Sequence, residues 1–104
     1  MTAISTLFKE VFLLKPELHK DTRGSFMEAY KQKAFEKLIG RKIDFCQDNY
    51  TTSKKGVLRG LHYQLPPFSQ SKLVSVLRGT VLDVVVDIRK GSPTFGRHFT
   101  QELS

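Results

Sequence analysis

The run Thr80-Val-Leu-Asp-Val-Val-Val-Asp-Ile-Arg89 constrains the fold more than any other stretch of this chain. Leu82, Val84, Val86 and Ile88 fall on one parity, and Val81, Asp83, Val85, Asp87 and Arg89 on the other. Successive side chains of a strand point to opposite faces, and β-branched residues suit a pleated surface, so the run predicts a half-buried strand. Lys72–Leu77 predicts a second strand, with Arg78-Gly79 as a tight turn, and the two are expected to form a hairpin. Val57–Gln64 predicts a third, ended by Pro66-Pro67, which have no N–H to give to a ladder.

The first half carries weaker signals. Val11–Leu14 and Ser25–Tyr30 read as strands around a turn at Asp21-Thr-Arg-Gly24, and Lys42–Tyr50 as another. From Lys31 to Ile39, Ala34, Phe35, Leu38 and Ile39 recur at helical spacing, and Gly40 follows as a stop. No internal repeat, low-complexity tract or linker interrupts residues 1–104, which read as a single domain. Many short strands with one short helix predict a mainly β sandwich or barrel. His98–Leu103 opens one more strand near the last residue, so its edge is expected to be covered by a second chain or by further sequence.

Composition narrows the class. Apolar residues are 39% and charged residues 26%, as in globular proteins and unlike disordered ones. No apolar run reaches the roughly 20 residues of a membrane-spanning helix. Met1 to Glu10 lacks a charged segment followed by an apolar one, which argues against a secretory signal. Cys46 is the lone cysteine; with no disulfide framework the reading is cytoplasmic, and its apolar surroundings predict a buried thiol. The net charge of +7 favours anionic partners in general. Nucleic acid fits poorly, because no strand interleaves aromatic and basic residues.

Arg59-Gly-Leu-His-Tyr-Gln64, followed by Lys72, is the densest group of reactive side chains. On adjacent strands a neutral imidazole could take a proton while an ammonium stabilises a developing oxyanion. For Arg59 and His62 to share a face, a bulge at Gly60 is required. Spacing alone leaves a structural histidine as the ordinary alternative.

Val57–Gln64, Gln70–Gly79, Val81–Arg89 and Gly91-Ser-Pro-Thr-Phe-Gly96, preceded by Asp21-Thr-Arg-Gly-Ser-Phe26 and Gln47-Asp-Asn49, together resemble the dTDP-4-dehydrorhamnose 3,5-epimerases. The resemblance runs from about Phe12 to Leu103. It implies a cupin-type jelly-roll or β-barrel and a cofactor-independent inversion of both carbons flanking the ketone of a dTDP-linked 4-keto-6-deoxyhexose. His62 matches the base that removes the C3 and C5 protons, and Lys72 the cation that steadies the enolate oxygen. Arg23, Phe26, Glu28, Gln47, Asn49 and Arg59 match contacts to nucleotide, diphosphate or sugar. A proton beside a ketone is far too weak an acid for imidazole alone; a donor at the developing oxyanion typically supplies about 3–4 kcal/mol. Guanidinium forks match phosphate oxygens in pairs, which suits Arg23 and Arg59 to a diphosphate.

The resemblance also implies no metal. Gln64 stands where the second histidine of a metal-binding cupin pair would be, and Lys72 where the glutamate would be. It implies homodimers whose N-terminal strands cross to the partner, and L-rhamnose supply for cell-surface polysaccharide. Family members run to roughly twice this length, and their second half provides a proton-returning Tyr and a carboxylate that orients the base. The sequence therefore reads as an N-terminal part. Two alternatives follow: a dTDP-sugar-binding cupin fragment without turnover, and a ketoisomerase acting on similar sugar nucleotides.

Overall fold

The computed structural model describes all residues from Met1 to Ser104. Its regular elements are β1 (Thr2–Ser5), β2 (Phe12–Lys15), β3 (Leu18–Asp21), β4 (Gly24–Met27), α1 (Gln32–Ile39), β5 (Val81–Val86) and β6 (His98–Leu103). The strands pair antiparallel as β1–β2, β3–β4 and β5–β6, giving three two-stranded sheets. The chain divides into two compact units, one of residues 1–41 and 75–104, the other Lys42–Val74.

In the first unit the expected helix forms. Phe35, on its apolar stripe, is buried, and its ring meets Tyr30 with centroids 5.5 Å apart. Gly40 ends α1 at φ 73°, its N–H donating to the Glu36 carbonyl at 2.9 Å. That left-handed turn is the one glycine reaches without strain. Phe8 is the other buried apolar residue, its ring 5.5 Å from that of Phe99 on β6. A buried Phe side chain stabilises by about 2–3 kcal/mol. Thr6 holds the loop bearing Phe8: its Oγ1 accepts the Phe8 N–H at 3.2 Å and lies 2.8 Å from the Val11 carbonyl oxygen.

The alternating run becomes β5, but its partner is β6 and not Lys72–Leu77. Val81 lies opposite Leu103, and Val86 opposite His98. Lys72–Leu77 forms no strand, so the expected hairpin is absent. Val57–Gln64 and Lys42–Tyr50 also stay outside regular structure. All three have the side-chain pattern of strands, but a strand exists only where its N–H and C=O groups enter a ladder with a neighbour, and none of these segments is part of a sheet. β2 and β4 form where expected, yet each pairs with a strand the pattern did not flag: β1 and β3. The apolar parity of β5 is open as well. Leu82 is 66% exposed, whereas Asp87, on the other parity, is buried.

Asp87 fastens the connection from β5 to β6. Its Oδ1 accepts the Arg89 backbone N–H at 3.0 Å and the Arg89 Nε–H at 2.9 Å. Its Oδ2 accepts Arg89 Nη2 at 2.8 Å, and the Ser92 and Thr94 hydroxyls at 2.6 Å each. Arg89 Nη1 reaches Glu10 Oε1 at 3.0 Å, tying the Phe8 loop to the same point. Hydrogen bonds from Arg89 first, then Ser92 and Thr94, hold the Asp87 carboxyl far below the usual carboxylate range. A buried charge needs such partners, and this one has all of them.

The second unit, Lys42–Val74, is built from turns and chain outside regular structure. Val57 N–H donates to the Lys54 carbonyl at 3.3 Å, and Phe68 N–H to the Leu65 carbonyl at 2.9 Å. No helix of the chain is long and apolar enough to cross a membrane.

Candidate functional site

Three of the candidate side chains lie on or beside the β3–β4 hairpin in the first unit. Its register sets Leu18 opposite Met27, His19 opposite Phe26, Lys20 opposite Ser25 and Asp21 opposite Gly24. Cross-strand partners share a face, so His19, Asp21 and Phe26 lie on one side of the ribbon. The His19 and Phe26 rings are 6.4 Å apart by centroid and 27° from parallel. Phe26 is 68% exposed, so this ring pair faces solvent and not a core. An open depression of about 500 Å³ is lined by His19, Asp21, Arg23 and Phe26 among others.

Thr22 and Arg23 make the two-residue loop, and Gly24 closes it at φ 137°, a conformation open to glycine. Asp21 Oδ1 accepts the Arg23 backbone N–H at 2.8 Å, an Asx turn. Asp21 Oδ2 accepts Arg23 Nε–H at 3.1 Å and Nη2–H at 2.6 Å. The Arg23 guanidinium in turn lowers the Asp21 carboxyl below its usual range. Glu28, just beyond β4, lies 3.9 Å from Lys31 Nζ, an exposed pair of small energetic weight.

The remaining candidates belong to the second unit. Gln47 and Asn49 sit two apart outside regular structure, and their amides meet: Gln47 Nε2 donates to Asn49 Oδ1 at 3.1 Å. Arg59 Nε donates to Ser53 Oγ at 3.0 Å, which leaves both terminal nitrogens of the guanidinium free to meet an anion. His62 and Lys72 are exposed and make no hydrogen bond, ion pair or ring contact. They stand on segments outside regular structure, so the expected pair of adjacent strands does not carry them. Gly60 has a φ of 121°, the kind of departure expected there, though with no ladder around it there is no bulge. Cys46 is exposed and not buried, because the strand that would have turned it inward is not formed. No group of three or more His, Cys, Asp or Glu side chains is placed to hold a metal ion.

Sequence reasoning missed three partners: Asp21, His19 and Ser53. Asp21 was legible, since an aspartate two residues before an arginine at a turn is the spacing of an Asx turn. His19 and Ser53 carried no such signal.

The family model for dTDP-4-dehydrorhamnose 3,5-epimerase matches residues 5–104, nearly the whole chain. The chain belongs to the dTDP-4-dehydrorhamnose 3,5-epimerase family. It is 53% identical to the Shigella flexneri enzyme of that name over 104 residues, covering 100% of this chain and 58% of that protein. Identity to the Salmonella typhimurium enzyme is 52%, again over the whole chain and 57% of the relative. The chain therefore spans rather more than half the length of these relatives. Among solved structures, the Bacillus anthracis epimerase with TDP and PPi bound matches with a TM-score of 0.93 at 43% identity, covering 99% of this chain and 59% of that one. The Legionella pneumophila epimerase in complex with dTDP-4-keto-L-rhamnose matches with a TM-score of 0.93 at 50% identity, covering 99% of this chain and 54% of that one. The fold is thus the mainly β, cupin-type fold of these epimerases with one short helix, as the sequence predicted, in the part of it that this chain spans.

Proposed function

We propose that this chain carries the base-bearing part of a dTDP-4-dehydrorhamnose 3,5-epimerase, acting as one functional domain without a cofactor. His62 removes the protons at C3 and C5 of dTDP-4-dehydro-6-deoxy-D-glucose, and Lys72 steadies the enolate that forms on the C4 oxygen. Arg23 and Arg59 take diphosphate oxygens, for which their free guanidinium nitrogens are suited. Phe26 offers an exposed ring to the base, and Glu28, Gln47 and Asn49 contribute polar contacts to nucleoside or sugar. The observation that carries this reading is the family match across residues 5–104. Two relatives with TM-scores of 0.93 are solved with TDP and PPi, and with dTDP-4-keto-L-rhamnose. The net charge of +7 suits a dianionic sugar nucleotide.

The same reading carries a homodimer with exchanged N-terminal strands and a cytoplasmic location. Open edges on three two-stranded sheets and the exposed apolar face of β5 support the first. A single exposed cysteine with no disulfide partner supports the second.

One observation favours a second reading. His62 and Lys72 are exposed and unpartnered, and the chain spans 58% of the Shigella flexneri relative, so a dTDP-sugar-binding fragment without turnover is the alternative. Solvent deuterium incorporation into the substrate, followed by NMR, separates them. Exchange at both C3 and C5 is expected. Binding of dTDP without exchange selects the fragment reading, and exchange at C3 alone selects a ketoisomerase.

A further inference from the structure

The chain contains two Asp-x-Arg turns held by the same donors, although Asp21 takes both guanidinium N–H groups on Oδ2 and Asp87 divides them between Oδ1 and Oδ2. In both, the aspartate accepts the arginine's backbone N–H with Oδ1 and grips its Nε–H and Nη2–H edge with the carboxylate. They differ in what the rest of the guanidinium does. Arg89 spends Nη1 on Glu10 at 3.0 Å, so its outer edge is closed. Arg23 has no such second partner, and its side chain is 88% exposed. A guanidinium has five N–H donors, two of which Asp21 takes. Of the three left, one on Nη1 and one on Nη2 face the Nη1/Nη2 edge, the end-on fork that matches two oxygens of a phosphate.

We propose that Asp21 is a positioning residue for Arg23: it holds the guanidinium by its Nε/Nη2 edge and presents the opposite fork to the diphosphate of the nucleotide. The inference rests on the reading of Arg23 given under Proposed function. An unrestrained arginine on an exposed two-residue loop samples many rotamers, and ordering it on binding costs affinity. Asp21 meets that cost before the ligand arrives. Its own negative charge opposes a phosphate, so two effects of opposite sign act at one position. The fixed direction of the fork outweighs the repulsion, because Asp21 is already neutralised by the arginine it holds. The depression beside it and the adjacent His19–Phe26 ring pair give the nucleoside a place next to the fork.

Titration of the full chain with dTDP, and separately with thymidine, tests this. Asp21→Ala is expected to weaken dTDP binding about fivefold to tenfold although it removes a negative charge. Asp21→Asn, which keeps the acceptor for the Arg23 N–H and loses the ionic grip, is expected to fall between it and the unmutated chain. Thymidine has no phosphate, so its affinity should not change in either variant; a general loosening of the hairpin would weaken it too. In an Arg23→Ala background, Asp21→Ala should have no further effect, since the group it acts through is gone. Equal or tighter dTDP binding by both Asp21 variants, with Arg23→Ala still weakened, overturns the positioning role and leaves the reading of Arg23 standing. Unchanged dTDP binding by Arg23→Ala, or no dTDP binding by the unmutated chain, removes that reading and this inference with it.

Discussion

The Asp87-x-Arg89 turn and the Asp21-x-Arg23 turn are held by the same donors, yet one is closed and the other open. At the first, the aspartate side chain is 2% exposed, two hydroxyls add to the arginine, and Glu10 takes the arginine's outer nitrogen. All three guanidinium nitrogens of Arg89 are engaged within the protein, and the result is a fastening between the Phe8 loop and the β5–β6 connection. At the second, the aspartate is 51% exposed, no side chain but that of Arg23 joins it, and the arginine's fork remains open. The same three-residue device is a fastening where its outer edge is satisfied, and where it is not it leaves the fork to which the proposed reading assigns the diphosphate. Residue type sets what the turn can do, and its neighbours set what it does.

Stability should divide the two turns most sharply. Asp87→Ala leaves Arg89, Ser92 and Thr94 without their common acceptor at a buried point, so the midpoint of thermal unfolding is expected to fall on the order of 10 °C. Asp21→Ala is expected to move it by no more than about 2 °C, as for exposed pairs in general. Equal shifts in a differential scanning calorimeter would erase the contrast.

Acid comes next. The folded-state value of Asp87 lies far below its ordinary 3.8, so its contribution is fully present above that value and is lost progressively as pH falls through it toward the folded value. Glu10, lowered from 4.5 chiefly by its hydrogen bond to Arg89, acts in the same direction. The unfolding midpoint should therefore drop as pH is taken from about 5 to about 2, and Asp87→Asn should flatten that profile strongly, whereas Asp21→Asn, which removes an exposed carboxyl lowered in the same direction, flattens it only slightly. A smaller effect is expected of Glu10→Gln, which opens the outer edge of Arg89 and so makes the closed turn resemble the open one. A fall of about 1–3 °C in unfolding midpoint, shrinking with added salt, is the expected result.

Outside the turns, the contrast between the two units carries a chemical prediction. Cys46, in the unit without regular structure, should react with an aromatic disulfide reagent under native conditions at a rate close to that of the unfolded chain. Slow reaction that becomes fast only in denaturant would restore the buried thiol that the sequence pattern predicts.

What the sequence made legible follows from which physics is local. The α1 stripe of Ala34, Phe35, Leu38 and Ile39 and the stop at Gly40 depend on residues within a few positions of each other, and both are present. β5 and the opening of β6 are also where alternation and β-branching place them. Pairing is not local. Alternation in Val57–Gln64 and Lys72–Leu77 tells which side chains would share a face, and nothing in it tells whether a neighbouring backbone is available. The hairpin assigned across Arg78-Gly79 failed for that reason, since β5 found β6 instead. The candidate site divides along the same line. The family words named Arg23, Phe26, Arg59, His62 and Lys72, while the hydrogen bonds that aim Arg23 at solvent emerged only with coordinates. They could have been read from Asp21, two residues upstream.

The central claim is that the His62 imidazole makes the hydrogens beside a sugar ketone labile. Its most direct test is solvent deuterium exchange at C3 and C5 of dTDP-4-dehydro-6-deoxy-D-glucose, measured by NMR for the unmutated protein and His62→Ala at matched dTDP occupancy. The account predicts exchange at both carbons in the first and none above the uncatalysed rate in the second, with dTDP affinity within about twofold of unmutated. Undiminished exchange in His62→Ala would contradict it.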